Sequence, residues 1–348
     1  MASSPPAYTT TLKTFHTLLS TSLPALSTPA PQSTLTTVPP LSLLSDAASL
    51  TKAHTTRLIL SLKPPSPLLE GIEKFLLSLI SEPIPSLVLS VQLLHADAKE
   101  RGLKGVLAKE VQREVGKLVE ALGELGGEIE AGLKAYEEGG KGEEGRGMQL
   151  QKTGRVWEGC DRLVGLAQKG VVGVVGDAVK RQADLVKDAE EELKGWIVEC
   201  SADSACGSGD EDEEDDGWGG GEEGELEEDE KKTVERVQKR LRSTVIIFFA
   251  VGKRRLVKGS EGLEGEDKRI EELGEMAAKI SPVVDDLVGL TTEREWEEVG
   301  DELGKLDDVL IKFAELAELG RDGKEDKFSE WFRKFRDAVK GSGPESST

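Results

Sequence analysis

Apolar residues that recur every three or four positions over most of the chain limit its fold more tightly than any other feature, because that period describes one face of an α-helix. Leu103, Val106/Leu107, Val111, Val115, Leu118, Leu122, Leu125, Ile129 and Leu133 form one such row. Shorter rows precede it: Leu43, Ala47, Leu50, His54 and Leu58, then Leu69, Ile72, Phe75/Leu76 and Leu79, then Leu87, Val91, Leu94 and Ala98. Later rows are Val156, Cys160, Leu163/Val164 and Ala167, and Leu185/Val186, Ala189, Leu193 and Trp196/Ile197. Further helices are expected over 231–258, 267–280, 282–290, 293–319 and 327–340. Prolines mark the joints at Pro39-Pro40, Pro64-Pro65, Pro83 and Pro85, where the ring lacks an N–H and suits a first helical turn. The run Val171, Val172, Val174 and Val175 is the one stretch with strand character, and its helical flanks make it helix.

The pattern predicts an all-α fold of two antiparallel helical bundles with an acidic disordered linker between helices. At 348 residues the chain exceeds what one core usually supports. The expected division is a flexible N-terminal region with room for a short helix (1–38), a first bundle (39–200), the linker (201–230), a second bundle (231–320), and an amphipathic helix with a tail (321–348). Aromatics are only 4% of the residues, so Leu, Val and Ala must build the cores.

Residues 210–230 hold fourteen acids and no base, and account for that much of the net charge of −21. The remaining body, at −7, lacks the clustered Lys and Arg that phosphate contact requires, so nucleic acid is not an expected partner. The acidic tract cannot bury enough surface to offset its ordering entropy. Its Asp212, Glu214, Asp216, Gly217 and Glu223 fall at calcium-loop positions, but Gly219 stands where an apolar anchor belongs and no entering helix precedes it. No metal is expected there.

Other chemistry is equally bare. Cys160, Cys200 and Cys206 have neither zinc-ligand nor redox spacing and read as reduced thiols of an intracellular protein. His16, His54 and His95 lie far apart, and the last two sit on apolar helix faces as core or boundary residues. No nucleophile elbow, P-loop or dinucleotide fingerprint is present. The sequence therefore predicts no catalytic residue, cofactor or enzyme activity. Residues 1–25 have neither the basic start nor the apolar run of a secretory signal, and the longest uniformly apolar stretch, Val245–Val251, is far short of a membrane span of about 20 residues.

Two helical faces suit protein contacts. Val299, Leu303, Leu306, Leu310, Phe313 and Ala317 form a heptad-like seam that fits a bundle core or a partner helix. Near the C-terminus Phe328, Trp331, Phe332 and Phe335 share one face and Arg333, Lys334, Arg336 and Lys340 another, which makes the four aromatics candidate partner-binding or membrane-surface residues. Lys253-Arg254-Arg255 reads either as a charged helix end or as a nuclear import signal.

The stretch Thr153-Gly154-Arg155-Val156-Trp157-Glu158-Gly159-Cys160-Asp161 resembles the cyclin-D-binding (cyclin-D-interacting, GCIP) family. Leu185-Val186-Lys187-Asp188-Ala189 with Glu192-Leu193, the acidic segment followed by a helix, and Ile280-Ser281-Pro282-Val283-Val284-Asp285-Asp286-Leu287 agree in order and spacing. The residues themselves read as structural. Trp157 and Cys160 share a core face, with Asp161 beside them; Asp188 and Glu192 punctuate the second patch; Ser281 is placed as an N-cap, Pro282 as first helical residue, and Asp285 near a positive helix end. The resemblance implies a two-bundle helical protein of nucleus and cytoplasm that binds cyclin-type or helix-loop-helix regulators and restrains the cell cycle. A cytoskeletal or membrane-peripheral bundle adaptor is the alternative, and an acidic chaperone for basic proteins a third. Oligomeric state is not legible.

Overall fold

The computed structural model describes residues 6–28, 39–63, 67–138, 146–202, 226–256, 266–320 and 323–341. Among them there are ten helical segments and no strand: α1 (Ala7–Ala25), α2 (Pro40–Ser61), α3 (Leu69–Ser81), α4 (Pro83–Glu100), α5 (Val106–Glu137), α6 (Arg146–Ala202), α7 (Glu228–Arg254), α8 (Glu266–Thr292), α9 (Trp296–Glu318) and α10 (Ser329–Gly341). The chain divides into two compact units, Met1–Val174 and Val175–Thr348. That boundary falls inside α6, just past Gly170, whose φ of 60° and ψ of −163° belong to a region that essentially only glycine occupies. The valine run beyond it is helical.

In the first unit, α5 presents Val111, Val115, Leu118, Leu122, Leu125, Ile129 and Leu133 to the core as its period requires. The stripe on α2 is rotated from the expected one. Leu44, Ala47/Ala48, Thr51, Thr55 and Leu58 are buried, while Leu50 is exposed. Two threonines hide this face from a hydropathy reading. The Thr51 hydroxyl donates to the Ala47 carbonyl at 2.8 Å, so its polar atom is satisfied within the helix and its methyl packs inward.

Leu69–Glu100 is long and apolar enough by composition to cross a bilayer, yet it is two helices. Glu82, at φ −134° and ψ −67°, breaks the helical path and Pro83 opens α4. Ile72, Leu76, Leu79, Ile84, Leu87 and Val91 from both pieces lie in the core. The N-terminal helix is longer than the short one foreseen: α1 runs 19 residues and buries Tyr8, Leu12, Phe15 and Leu19 against α3 and α5.

In the second unit, α9 buries its whole seam, Val299, Leu303, Leu306, Leu310, Phe313 and Ala317. Phe313 meets Phe248 of α7 with ring centroids 5.6 Å apart. The break expected before Pro282 does not occur, and α8 is one helix. Proline inside a helix costs about 3 kcal/mol. Ile280, Val284, Leu287 and Val288 continue the buried row of Ile270, Leu273 and Ala277, and each fully buried side chain is worth about 1.5–3 kcal/mol, so continuity wins. Ser281 consequently caps nothing; it is buried, and its hydroxyl donates to Gln182 Oε1 on α6.

α7 begins at Glu228, earlier than expected, because Glu227 and Glu230 close a capping box, with Glu227 N–H donating to Glu230 Oε2 at 2.7 Å. The other Glu230 oxygen accepts the Trp296 indole N–H at 2.7 Å, which ties the starts of α7 and α9. Cys200, Leu226 and Val234 share a small apolar cluster with Trp196, Ile197 and Trp296. Residues on either side of 203–225 therefore pack in the same unit, and the acidic stretch with its calcium-loop pattern lies outside the described residues. The C-terminal helix also belongs to this unit, packed on α9.

Replacing Phe313 with alanine should remove about 3–5 kcal/mol of stability. Urea denaturation followed by circular dichroism checks this, with the loss confined to the transition of the second unit.

Candidate protein-binding surfaces

The aromatic face of α10 is assembled from its first residue. Asp326 Oδ1 accepts the backbone N–H groups of Phe328 at 2.9 Å and Ser329 at 3.1 Å, and Ser329 Oγ accepts the Asp326 N–H at 2.8 Å. The same carboxylate receives the Arg255 guanidinium, whose Nη1 donates to Oδ2 at 2.6 Å and Nη2 to Oδ1 at 3.1 Å. Arg255 Nε also donates to the Ala317 carbonyl at 2.6 Å, and Nη2 to that of Glu318 at 3.2 Å, so the guanidinium covers the last turn of α9, where the helix dipole is negative. This arginine is only 3% exposed. The Arg255 bond holds the Asp326 carboxyl down to about 2.

Aromatic rings close over this charge. The Arg255 guanidinium lies 4.9 Å from the Phe332 ring centre, and that of Arg254 4.4 Å from Trp331 and 5.3 Å from Phe328. Phe335 stacks on Trp331 with centroids 5.8 Å apart. Phe332 is wholly buried; Phe328, Trp331 and Phe335 are half-buried. The four candidate partner-binding aromatics are thus brought together, but on their own protein, and two members of the Lys253-Arg254-Arg255 cluster are engaged beneath them.

The other singled-out residues divide by burial. Cys160 is fully enclosed, and burial, reinforced by the Asp161 charge, pushes its thiol up to about 12. Trp157 is half-buried, not fully in the core. Asp161 faces outward and accepts Lys52 Nζ at 2.7 Å, joining α6 to α2. Asp188, Glu192, Pro282 and Asp285 are exposed. Ser281 and Gln182 join the two helices that carry these four.

The histidines stay apart on α1, α2 and α4. His95 Nε2 pairs with Gln112 Oε1 at 2.7 Å, His16 lies 3.7 Å from Glu130, and burial, with Arg57 nearby, lowers the pKa of His54. No group of three or more His, Cys, Asp or Glu among the described residues could hold a metal ion. Sequence reasoning missed Arg255, because a buried arginine looks like any charged helix end until its acceptors arrive from α9 and Asp326. Outward-facing apolar residues remain on both units, among them Leu60, Leu68 and Leu77 on the first and Leu185, Ile246 and Phe249 on the second, where Lys187 Nζ sits 4.5 Å above the Phe249 ring.

Helices packed on aliphatic seams, with charged side chains spent on caps and ion pairs, define the class: an all-helical scaffold of two units. Residues 43–199 match the family described as "Grap2 and cyclin-D-interacting, N-terminal". The match contains Trp157, Cys160, Asp161, Asp188 and Glu192. An uncharacterized protein of Schizosaccharomyces pombe is 24% identical over 300 residues, which cover 85% of this chain and 83% of that protein.

Because the folded-state pKa of Asp326 is depressed, its contribution to holding α10 is complete above the ordinary carboxylate value of 3.8 and is lost as pH falls toward about 2. An acid titration of Trp331 fluorescence should show release of α10 in that window, and Asp326→Asn should abolish the step. Arg255→Met should cost about 3 kcal/mol in urea denaturation. Cys160 should resist alkylation at pH 8 in the folded protein and react once urea exposes it, as mass spectrometry of the modified peptides would report.

Proposed function

We propose that this chain is a non-enzymatic regulator that works by binding other proteins, with cyclin-type or helix-loop-helix partners, and that it acts on cell-cycle progression or transcription in nucleus and cytoplasm. The match of residues 43–199 to a domain described by its interaction with Grap2 and cyclin D carries this reading. The arrangement of polar side chains supports it. Asp326, Arg255, Glu230 and Ser281 are committed to helix caps and interhelical bonds, and Cys160 is a buried, protonated thiol, whereas apolar side chains stand outward on helix surfaces where a partner can cover them.

The adaptor alternative drew on the helical bundles and on the basic-aromatic C-terminal helix. The aromatic face of that helix is turned against Arg254 and Arg255, so a cytoskeletal or membrane-peripheral role loses one of these two supports. Affinity purification of the full chain followed by mass spectrometry tests the regulator. Cyclins or helix-loop-helix proteins should be enriched at least about tenfold over a bead control. Recovery of neither class, at a bait level that retains the folded circular dichroism spectrum, would end the proposal.

A further inference from the structure

α1 is a helix that its own sequence does little to support. Six of its 19 residues are threonine, Pro24 lies in its last turn, it has no side-chain N-cap, no acid in its first turn and no base in its last. Each of these withholds a usual source of helix stability, and an isolated helix of this length is marginal even when they are present. Its helicity depends on the surface it lies on.

That surface is shaped for a helix. Along α5, Gly116 faces Leu26, Gly123 faces Leu19, and Gly126 faces Phe15 and His16, an antiparallel register held over ten residues. A Cβ at Gly123 would stand 3.9 Å from Leu19 Cδ1, an ordinary contact, but one at Gly126 would stand 2.9 Å from His16 Cε1 and 3.1 Å from Phe15 Cε1. The absence of a side chain at 126 is what lets the aromatic ring seat. Polar groups mark both ends of the groove. Tyr8 Oη donates to Glu137 at one end, and Gln92 Nε2 donates to the Ala25 carbonyl at 2.9 Å at the other.

α1 also lies outside the segment that matches the family, which starts at residue 43, and ten residues separate Thr28 from Pro39. We propose that the groove on α5 is a docking site for an amphipathic helix of a partner protein, and that α1 occupies it in cis until such a helix displaces it. This rests on the protein-binding reading above and names its surface. The bound α1 shows what fits: a two-ended helix with large apolar residues at the spacing of Tyr8, Leu12, Phe15 and Leu19, the third of them aromatic to fill the space above Gly126, and a hydroxyl at its start to reach Glu137. Tethering gives α1 a high effective concentration, so a partner must exceed its intrinsically weak hold.

The test uses the full chain and a fluorescent peptide of residues 7–26. Phe15→Asp removes the seated ring from α1 and leaves the groove intact, so this protein should bind the peptide saturably and about tenfold or more tighter than wild type. Adding Gly126→Leu to the same chain should abolish that binding. Thr14, Thr17 and Thr21 are exposed, and changing all three to alanine strengthens α1 without touching the groove. In hydrogen exchange the α1 amides should open together and faster than those of α5, and the triple variant should slow them roughly tenfold.

Exchange of α1 as slow as that of α5 in the wild type, or equal peptide binding by wild type and Phe15→Asp, would overturn the proposal. If Phe15→Asp also loses protection in α5, the comparison of wild type with the triple alanine variant decides instead: weaker peptide binding by the triple variant supports displacement, and equal binding refutes it. A captured partner that binds wild type, triple variant and Phe15→Asp alike removes the groove but keeps the regulator. Peptide binding as expected with no partner recovered does the reverse.

Discussion

A chain with so few rings builds its cores mainly from aliphatic side chains, and here these are carried on helices, each of which has one dry face to offer. Everything else in this structure follows from that constraint. α5 and α9 present unbroken rows of Leu and Val, and their neighbours align along these rows. Where a row is long enough it overrides a local signal. α8 continues through Pro282 because breaking there would expose more apolar surface than one backbone hydrogen bond can offset.

The helices at the two ends of the described chain are held by different physics. α10 is held by charge: one buried guanidinium satisfies the last carbonyls of α9 and pairs with the residue that caps α10, under a roof of aromatic rings. Removing any member strands the others. α1 is held mainly by shape, with apolar side chains against glycines, polar contacts near its ends and His16 3.7 Å from Glu130. A helix of the second kind exchanges for another of similar form more readily than the first, since no buried charge is left behind.

The same contrast bears on function. The residues with recognisable chemistry are absorbed into structure: Cys160 in the core, Asp161 in an ion pair, Ser281 in a bond between helices. What is left for other molecules is helix surface. Residues 43–199, which match the family described as "Grap2 and cyclin-D-interacting, N-terminal", are built in this way.

The sequence by itself determined most of the helices, because a period of 3.6 is written in the spacing of Leu and Val; the length of α1 and the continuity of α8 through Pro282 came from packing. It also determined the family resemblance, through motifs that remain contiguous in the chain. Tertiary structure alone decided which face of α2 turns inward, since Thr51 and Thr55 become core residues only when their hydroxyls are satisfied within the helix or enclosed by packing. It decided that the units part near Gly170 and not at the acidic tract, because Cys200 and Leu226 meet in one cluster although 25 positions of sequence lie between them. And it decided the fate of Phe328, Trp331, Phe332 and Phe335: their amphipathic face was legible, but whether it waits for a partner depends on the acceptors gathered around Arg255, which come from parts of the chain more than 60 residues away.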